Sequence, residues 1–250
     1  MAQLTEMISE LDRLLEPERF EDYAPNGLQV PGREEVATVV TGVSASAELF
    51  ERALAEGADL ILVHHGLFWR GAPQALDRPA ARRLRLLLEA DCSLAAYHLP
   101  LDGDQELGNN ALLAQALGAT SWEPFAGGIG VAATFPDQGI TPQELIDRTR
   151  AATGGREPLA FTVGPEHVRR IGIVSGAAAG HLGEAIEAGL DAFLTGEPAE
   201  RVMHQAREAG IHFLAAGHYA TETLGVQALG NHLAAHFGIE HRFIDVPNPI

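Results

Sequence analysis

Apolar residues at Leu4, Met7, Ile8, Leu11, Leu14 and Leu15 recur at intervals of three and four, which predicts an amphipathic helix ending before Pro17. Pro25, Asn26, Gly27, Pro31 and Gly32 then punctuate residues 23–33, a loop. Beyond it the pattern shortens and alternates. Residues 36–43 are β-rich, about 45–56 helical, 60–63 an apolar strand, roughly 79–90 helical and 93–97 a further strand. Strands and helices alternating at these lengths predict an α/β fold, with a parallel-type sheet covered by helices.

The same order returns in the second half of the chain. Gly57-Ala58-Asp59-Leu60-Ile61-Leu62 aligns with Gly189-Leu190-Asp191-Ala192-Phe193-Leu194, and Val43-Ser44 with Val174-Ser175. Leu94-Ala95-Ala96-Tyr97-His98 matches Leu214-Ala215-Ala216-Gly217-His218, and the same offset carries Asp102 onto Glu222. Any two βαβ units look alike, but matching His-x-x-x-acid tails at equivalent strand ends exceed what periodicity requires. The expected organisation is two related α/β halves: residues 1–118 with 239–250, and 168–238. A connecting αβ segment, 119–167, lies between them. That segment holds a Gly-rich strand at 127–135, a helix opened by Thr141 with Pro142 and Glu144 in its first turn, and a strand at 159–163. The whole is expected to form one compact unit.

Composition narrows the chemistry. All seventeen basic residues are Arg, so a Walker lysine, a Schiff-base lysine and a lysine general base are excluded. A formal net charge of -17 argues against a nucleic-acid partner. Arg78, Arg82 and Arg85 share a helical face and read as a solvated one. No apolar run approaches the ~18–20 residues that span a bilayer, so no membrane partner is expected. The first fifteen residues are acidic and amphipathic, unlike a signal peptide, and the expected location is the cytoplasm. The single cysteine, Cys92, rules out an internal disulfide and multi-thiol metal sites, and reads as a small buried residue.

Histidines and acids remain, and they gather at strand ends, where open α/β sheets bind ligands. His64 and His65 follow the strand 60–63 directly. His98 and Asp102 follow 93–97, with Pro100 between them predicting a loop rather than a regular helix. His218 and Glu222 follow Phe213–Ala216 at the start of another helical pattern. Three of these four His with the two carboxylates, and with no thiol available, match the donor set of a hydrolytic two-metal centre for Zn, Mn or Fe. The glycines 176, 180 and 183 fit no dinucleotide fingerprint.

Several motifs also resemble a known family. They are Tyr23-Ala24-Pro25-Asn26-Gly27-Leu28-Gln29-Val30, Val63-His64-His65-Gly66, His98-Leu99-Pro100-Leu101-Asp102, Gly108-Asn109-Asn110, Leu194-Thr195-Gly196-Glu197, Ala216-Gly217-His218 with Thr221-Glu222, and Ile244-Asp245-Val246-Pro247-Asn248-Pro249. In order and over nearly the whole chain they are similar to the GTP cyclohydrolase I type 2 homologues, the Nif-three-like dinuclear metal proteins, in their short bacterial form. The resemblance implies two interlinked α/β halves, two divalent ions per chain held by His64, His65, Asp102, His218 and Glu222, with Glu222 as the bridge, and a toroidal homohexamer. This chain departs in reading Ser175-Gly176-Ala177-Ala178-Ala179-Gly180 where the family often has several glycines, and Pro25 where many members carry an acid.

Two further residues have competing readings. His98 is either a proton shuttle or support at the metal edge, or a residue fixing its loop. Glu197, which the repeat places opposite His65, orients a ligand or acts as a base; otherwise it is a turn acid before Pro198. His204 and Glu208 lack a strand-end position and read as structural, while His167, His181, His212, His232, His236 and His241 read as surface or core residues. The expected function is a dinuclear metal-dependent hydrolase, similar to GTP cyclohydrolase I type 2, with a metal-bridging hydroxide attacking a nucleotide or related small molecule. The competing expectation is a non-catalytic metal-binding ring that serves as scaffold or chaperone.

Overall fold

The computed structural model of the chain describes residues 1–136 and 138–250. Its strands are β1 (Ala2–Gln3), β2 (Gly27–Val30), β3 (Glu35–Val36), β4 (Thr38–Ser44), β5 (Leu60–His65), β6 (Ser93–Ala96), β7 (Ser121–Phe125), β8 (Gly130–Thr134), β9 (Leu159–Phe161), β10 (Arg170–Val174), β11 (Ala192–Thr195), β12 (His212–Ala215) and β13 (Glu240–Phe243). Its helices are α1 (Leu4–Leu15), α2 (Ala47–Ala55), α3 (Arg78–Ala90), α4 (Leu99–Gly103), α5 (Asn109–Ala116), α6 (Pro142–Ala152), α7 (Leu182–Glu187), α8 (Val202–Ala209), α9 (His218–Thr221) and α10 (Thr223–Phe237). They fall into two compact units, Met1–Leu101 with Gly225–Pro247, and Asp102–Leu224 with Asn248–Ile250. Each unit draws on segments far apart in sequence, so the halves are interlinked along the chain.

The first unit contains a five-stranded sheet in the order β13-β4-β5-β6-β2. All its pairings are parallel except β2 with β6. Central parallel strands are covered on both faces, which is why β5 reads as an unbroken apolar run. Val40, Ile61, Val63 and Leu94 pack with Leu49 and Phe50 of α2 and Leu87 of α3. Ser46 caps α2 by accepting from the Leu49 amide, and Asp77 caps α3 by accepting from Ala80 with Pro79 in the first turn. On α3 the arginines meet acids at the surface: Arg82 pairs with Glu51 and Arg85 with Glu89.

The second unit contains a six-stranded sheet, β7-β8-β10-β11-β12-β9. Its core β10-β11-β12 is parallel, while β7, β8 and β9 join antiparallel. Residues 119–167 thus contribute the outer strands of this sheet. The short link between β7 and β8 allows only an antiparallel pairing, whereas parallel neighbours need a crossover. The Gly-rich stretch is split into a tight turn at Ala126–Gly128 and the strand β8. α6 opens with a capping box between Thr141 and Glu144.

The internal repeat has a physical counterpart at the start of each middle strand. Asp59 Oδ2 accepts from the amides of Ala37 (2.9 Å) and Thr38 (3.1 Å), beside the first residue of β4. Its aligned residue Asp191 uses Oδ2 in the same way, accepting from Arg169 (2.8 Å) and Arg170 (3.0 Å) at the start of β10. One acid in each half therefore staples a neighbouring strand in register.

The loop expected between His98 and Asp102 is a correction: residues Leu99–Gly103 are helical. Pro100 sits in the first turn, where its missing N–H would have had no intrahelical acceptor and its fixed φ suits the helix.

Candidate metal centre

In the first unit, β5 runs two residues further than its apolar core and ends on His64 and His65. His64 is fully buried, and its Nδ1 donates to the Tyr97 carbonyl at 3.0 Å. That bond places the proton on Nδ1 and the lone pair on Nε2, the tautomer of a ligating imidazole. His65 Nδ1 lies 3.1 Å from Ser44 Oγ, its register partner at the end of β4. His98 follows β6, and its ring centroid is 5.0 Å from that of His64 and 5.6 Å from that of His65. One nitrogen from each of these three rings lies within 4.8 Å of the others.

Asp22 holds this cluster in place. Its Oδ1 accepts from His98 Nδ1 at 2.7 Å, and its Oδ2 from the Leu99 amide and Asn26 Nδ2, both at 2.9 Å. Asn26 Oδ1 accepts in turn from the His98 amide at 2.7 Å. Burial alone would raise the Asp22 carboxyl, but the hydrogen bonds from His98, Asn26 and Leu99 outweigh it and hold it below the usual carboxylate range. Sequence reasoning missed Asp22 because its partner His98 is 76 positions away. It also missed Trp69, whose ring meets that of His98 edge-on at 5.2 Å and lies 5.9 Å from that of His65. Arg70 ties this aromatic loop to the Asp22 loop, its amide donating to Tyr23 O (2.7 Å) and its Nη2 to Asp22 O (2.8 Å).

In the second unit, His218 opens α9, and its Nδ1 donates to Glu197 Oε1 at 2.5 Å. Its Nε2 lies 3.1 Å from Glu222 Oε1, and the Glu222 side chain is only 3 % exposed. Burial disfavours the imidazolium, yet the hydrogen bonds to Glu222 and Glu197 outweigh it and raise His218 to about 9. Asp102 is also buried, and its Oδ1 accepts from Asn109 Nδ2 and Ser175 Oγ, both at 2.9 Å. The fully buried Asn110 locks the same corner, accepting from the Ser175 amide at 2.8 Å and donating to Ile129 O at 2.7 Å. The Gly108-Asn109-Asn110 motif thus braces a carboxylate.

Gly176 makes room for this arrangement. Its φ is +65°, and a Cβ there would lie 2.5 Å from Glu222 Oε1 and 3.2 Å from His218 Nε2. A Cβ at Gly183, inside α7, would meet nothing within 4 Å, so of these two glycines Gly176 is the one the site requires.

The other histidines lie elsewhere. His212 bonds the backbone of Gly164 and Pro165, His241 bridges Thr41 and Asn231, and His181 pairs with Glu184. His204 and Glu208 are exposed on α8. Cys92 is buried and its thiol is pushed up to about 12, mainly by burial, which suits a packing residue rather than a nucleophile.

Imidazole and carboxylate donors without a thiol suit borderline to hard divalent ions. Two features of the structure fit such a group: carboxylates and a carbonyl fix the imidazoles through Nδ1, and a glycine cradle keeps Glu222 and His218 clear of side-chain bulk. The molecule is thus an α/β protein of two related halves with His and carboxylate donors at its strand ends. Residues 2–249 match the family Duf34/NIF3 (NGG1p interacting factor 3), and the chain belongs to that family. It is 47% identical over 248 residues to a Pseudomonas aeruginosa protein named GTP cyclohydrolase 1 type 2 homolog, covering 98% of each chain. A protein of the same name from Allochromatium vinosum is 45% identical over 251 residues, covering 100% of this chain and 98% of its own. Among solved structures, one described as "Structural genomics, protein ybgI, unknown function" superposes with a TM-score of 0.94 at 40% identity, over 99% of this chain and 100% of that one.

Proposed function

We propose that the protein is a metal-dependent hydrolase in which His64, His65, Asp102, His218 and Glu222 together hold two divalent ions, with Glu222 as the bridging carboxylate. Its substrate is a nucleotide or related small molecule, with GTP the candidate that the name of its relatives suggests, and it works in the cytoplasm. The observation that carries this reading is the pairing of His218 with Glu197 on Nδ1 and Glu222 beside Nε2. A carboxylate behind the imidazole is the usual outer partner of a ligating His, and the buried carboxylate beside Nε2 is a second donor for the same ion. Bound ions would supply Lewis-acid polarisation and an activated water at neutral pH.

The chain's own residues supply orientation and proton movement. Asp22 keeps the His98 proton on Nδ1, so His98 Nε2 takes up or delivers a proton at the reacting centre. Glu197 fixes the ring of His218. Asn109 and Ser175 hold one oxygen of Asp102 and so orient the carboxylate. Trp69 presents an aromatic surface beside His98 and His65, suited to a planar base.

The test is elemental analysis of protein purified without chelator, then assay of GTP, phosphoester and amide substrates at one metal loading. Two ions per chain at the strand-end donors, counted in the His232→Ala/His236→Ala background, and GTP consumption are expected. Glu222→Gln should fold and lose one or both ions, because an amide cannot bridge two cations as a carboxylate does. Full loading with no turnover of any substrate would overturn the hydrolase reading. Unchanged stoichiometry in Glu222→Gln would remove Glu222 from the site.

A further inference from the structure

The helices α1 and α10 carry a second group of metal-type donors, made of residues unrelated to the strand ends. His232 and His236 are four apart on α10 and so share a face, with their rings stacked at 5.7 Å between centroids and 27° between planes. Both approach Glu10 of α1. His232 Nε2 is 2.9 Å from Glu10 Oε1, and His236 Nδ1 is 3.9 Å from the same oxygen. One donor atom from each of the three lies within 4.8 Å of the others. We propose that Glu10, His232 and His236 form a separate site for a divalent cation of the Zn2+, Ni2+ or Cu2+ class.

The distances decide in favour of a site. Tetrahedral coordination with bonds of ~2.0–2.1 Å places neighbouring donor atoms about 3.3 Å apart, and 2.9 and 3.9 Å straddle that value within a small side-chain adjustment. Imidazole pairs with a single carboxylate select late first-row ions over Mg2+ or Ca2+, which demand more oxygens. Beside the cluster lies an open depression of about 440 Å³ that also carries Glu6 and Ser9, leaving room for water to complete the coordination shell.

The competing explanation is an ordinary ion pair, since Arg13 donates to both Glu10 oxygens at 2.8 Å. The Arg13 side chain is 65% exposed, whereas that of Glu10 is 10% exposed. The guanidinium can therefore yield Oε1 to a cation while its Nε keeps Oε2, and a hydrogen bond to the far oxygen is the usual support of a ligating carboxylate. An ion pair with Arg13 explains Glu10 but gives no reason for a second imidazole within 4 Å of the same oxygen. The site would tether residue 10 to residues 232–236 and so stabilise a contact between chain segments remote in sequence.

The experiment titrates chelator-stripped wild type, His236→Ala and His232→Ala/His236→Ala with Zn2+ by calorimetry, and records the melting temperature of each with and without Zn2+. His236→Ala removes a ring at 3.9 Å and leaves the Arg13–Glu10–His232 bonds intact, so its fold is preserved. Wild type should bind one Zn2+ more per chain than the double variant, and His236→Ala should weaken that extra phase at least tenfold. The Zn2+-induced rise in melting temperature should be smaller in both variants. Equal stoichiometry and equal thermal response across the three proteins would overturn the proposal. The strand-end donors are intact in every variant, so loss of the extra equivalent leaves the hydrolase reading untouched, and failure of that reading leaves this one standing.

Discussion

Asp22 is the residue on which the geometry of His98 depends, and replacing it has a calculable cost. In Asp22→Ala, the Leu99 amide, His98 Nδ1 and Asn26 Nδ2 each lose an ionised acceptor at 2.7–2.9 Å. Hydrogen bonds to charged groups are worth ~1.5 kcal/mol or more each, so three of them amount to about 4–5 kcal/mol. That is a large part of a typical ~5–15 kcal/mol domain stability. At a urea slope of ~3 kcal/mol per molar the midpoint should fall by about 1.5 M. Asp22→Asn should cost roughly two-thirds as much, since its carbonyl can keep the bond from His98 at Oδ1 while its amide faces the two donors at Oδ2. Trp69 lies in the same unit as Asp22, so its fluorescence in a Trp122→Phe background reports this transition.

The same carboxylate sets a pH signature. Its folded value lies below the ordinary one because the bonds from His98, Asn26 and Leu99 outweigh burial. Its stabilisation is therefore complete above the unfolded value of ~3.9 and is lost as pH falls through the lower folded value. The stability gap between wild type and Asp22→Asn should stay wide at pH 7 and narrow in strong acid. A stability unchanged within about 0.5 kcal/mol, or a gap constant from pH 7 to pH 2, would refute the reasoning.

Three other outcomes are expected. Gly176→Ala should lower metal content and cost about 1–2 kcal/mol of stability, because a left-handed backbone acquires a Cβ that forces Glu222 aside; wild-type metal content would show that the cradle is not needed. His98→Ala should reduce turnover more than metal occupancy, and equal loss of both would make it a ligand or a structural support. By family resemblance a homohexamer is expected; with a formal charge of -17 per chain, its association should survive or strengthen as salt rises, and a monomer in light scattering at micromolar concentration would refute this.

The parallel cores were legible in the sequence because β4-β5-β6 and β10-β11-β12 are short apolar runs flanked by helical periods, and the Asp59 and Asp191 staples mark the same point in each. The edges were less legible. β9 is three residues long with no alternation of its own, and its antiparallel pairing with β12 is decided by the sheet it joins. Pro100 misled because its position, the first turn of a short helix, is one that proline tolerates.

The placement of the strand-end histidines was legible for a related reason. His64 and His65 directly follow an apolar run and His218 follows one after Gly217, so their placement at strand ends follows from local pattern alone. Their supports are not local. Ser175 reaches Asp102 across 73 positions and Asp22 reaches His98 across 76, distances over which no periodicity carries information. The repeat itself shows where local inference stops. It aligns His98 with His218, and each donates its Nδ1 proton to a carboxylate, yet one carboxylate is Asp22, from the loop before β2, and the other Glu197, from the turn after β11. The repeat also aligned Glu197 with His65, whereas Glu197 bonds His218. The duplicated βαβ pattern specifies where an imidazole stands at the sheet edge. Which acid holds it is decided by loops that the two halves do not share, so mutating Asp22 and Glu197 should perturb His98 and His218 separately rather than together.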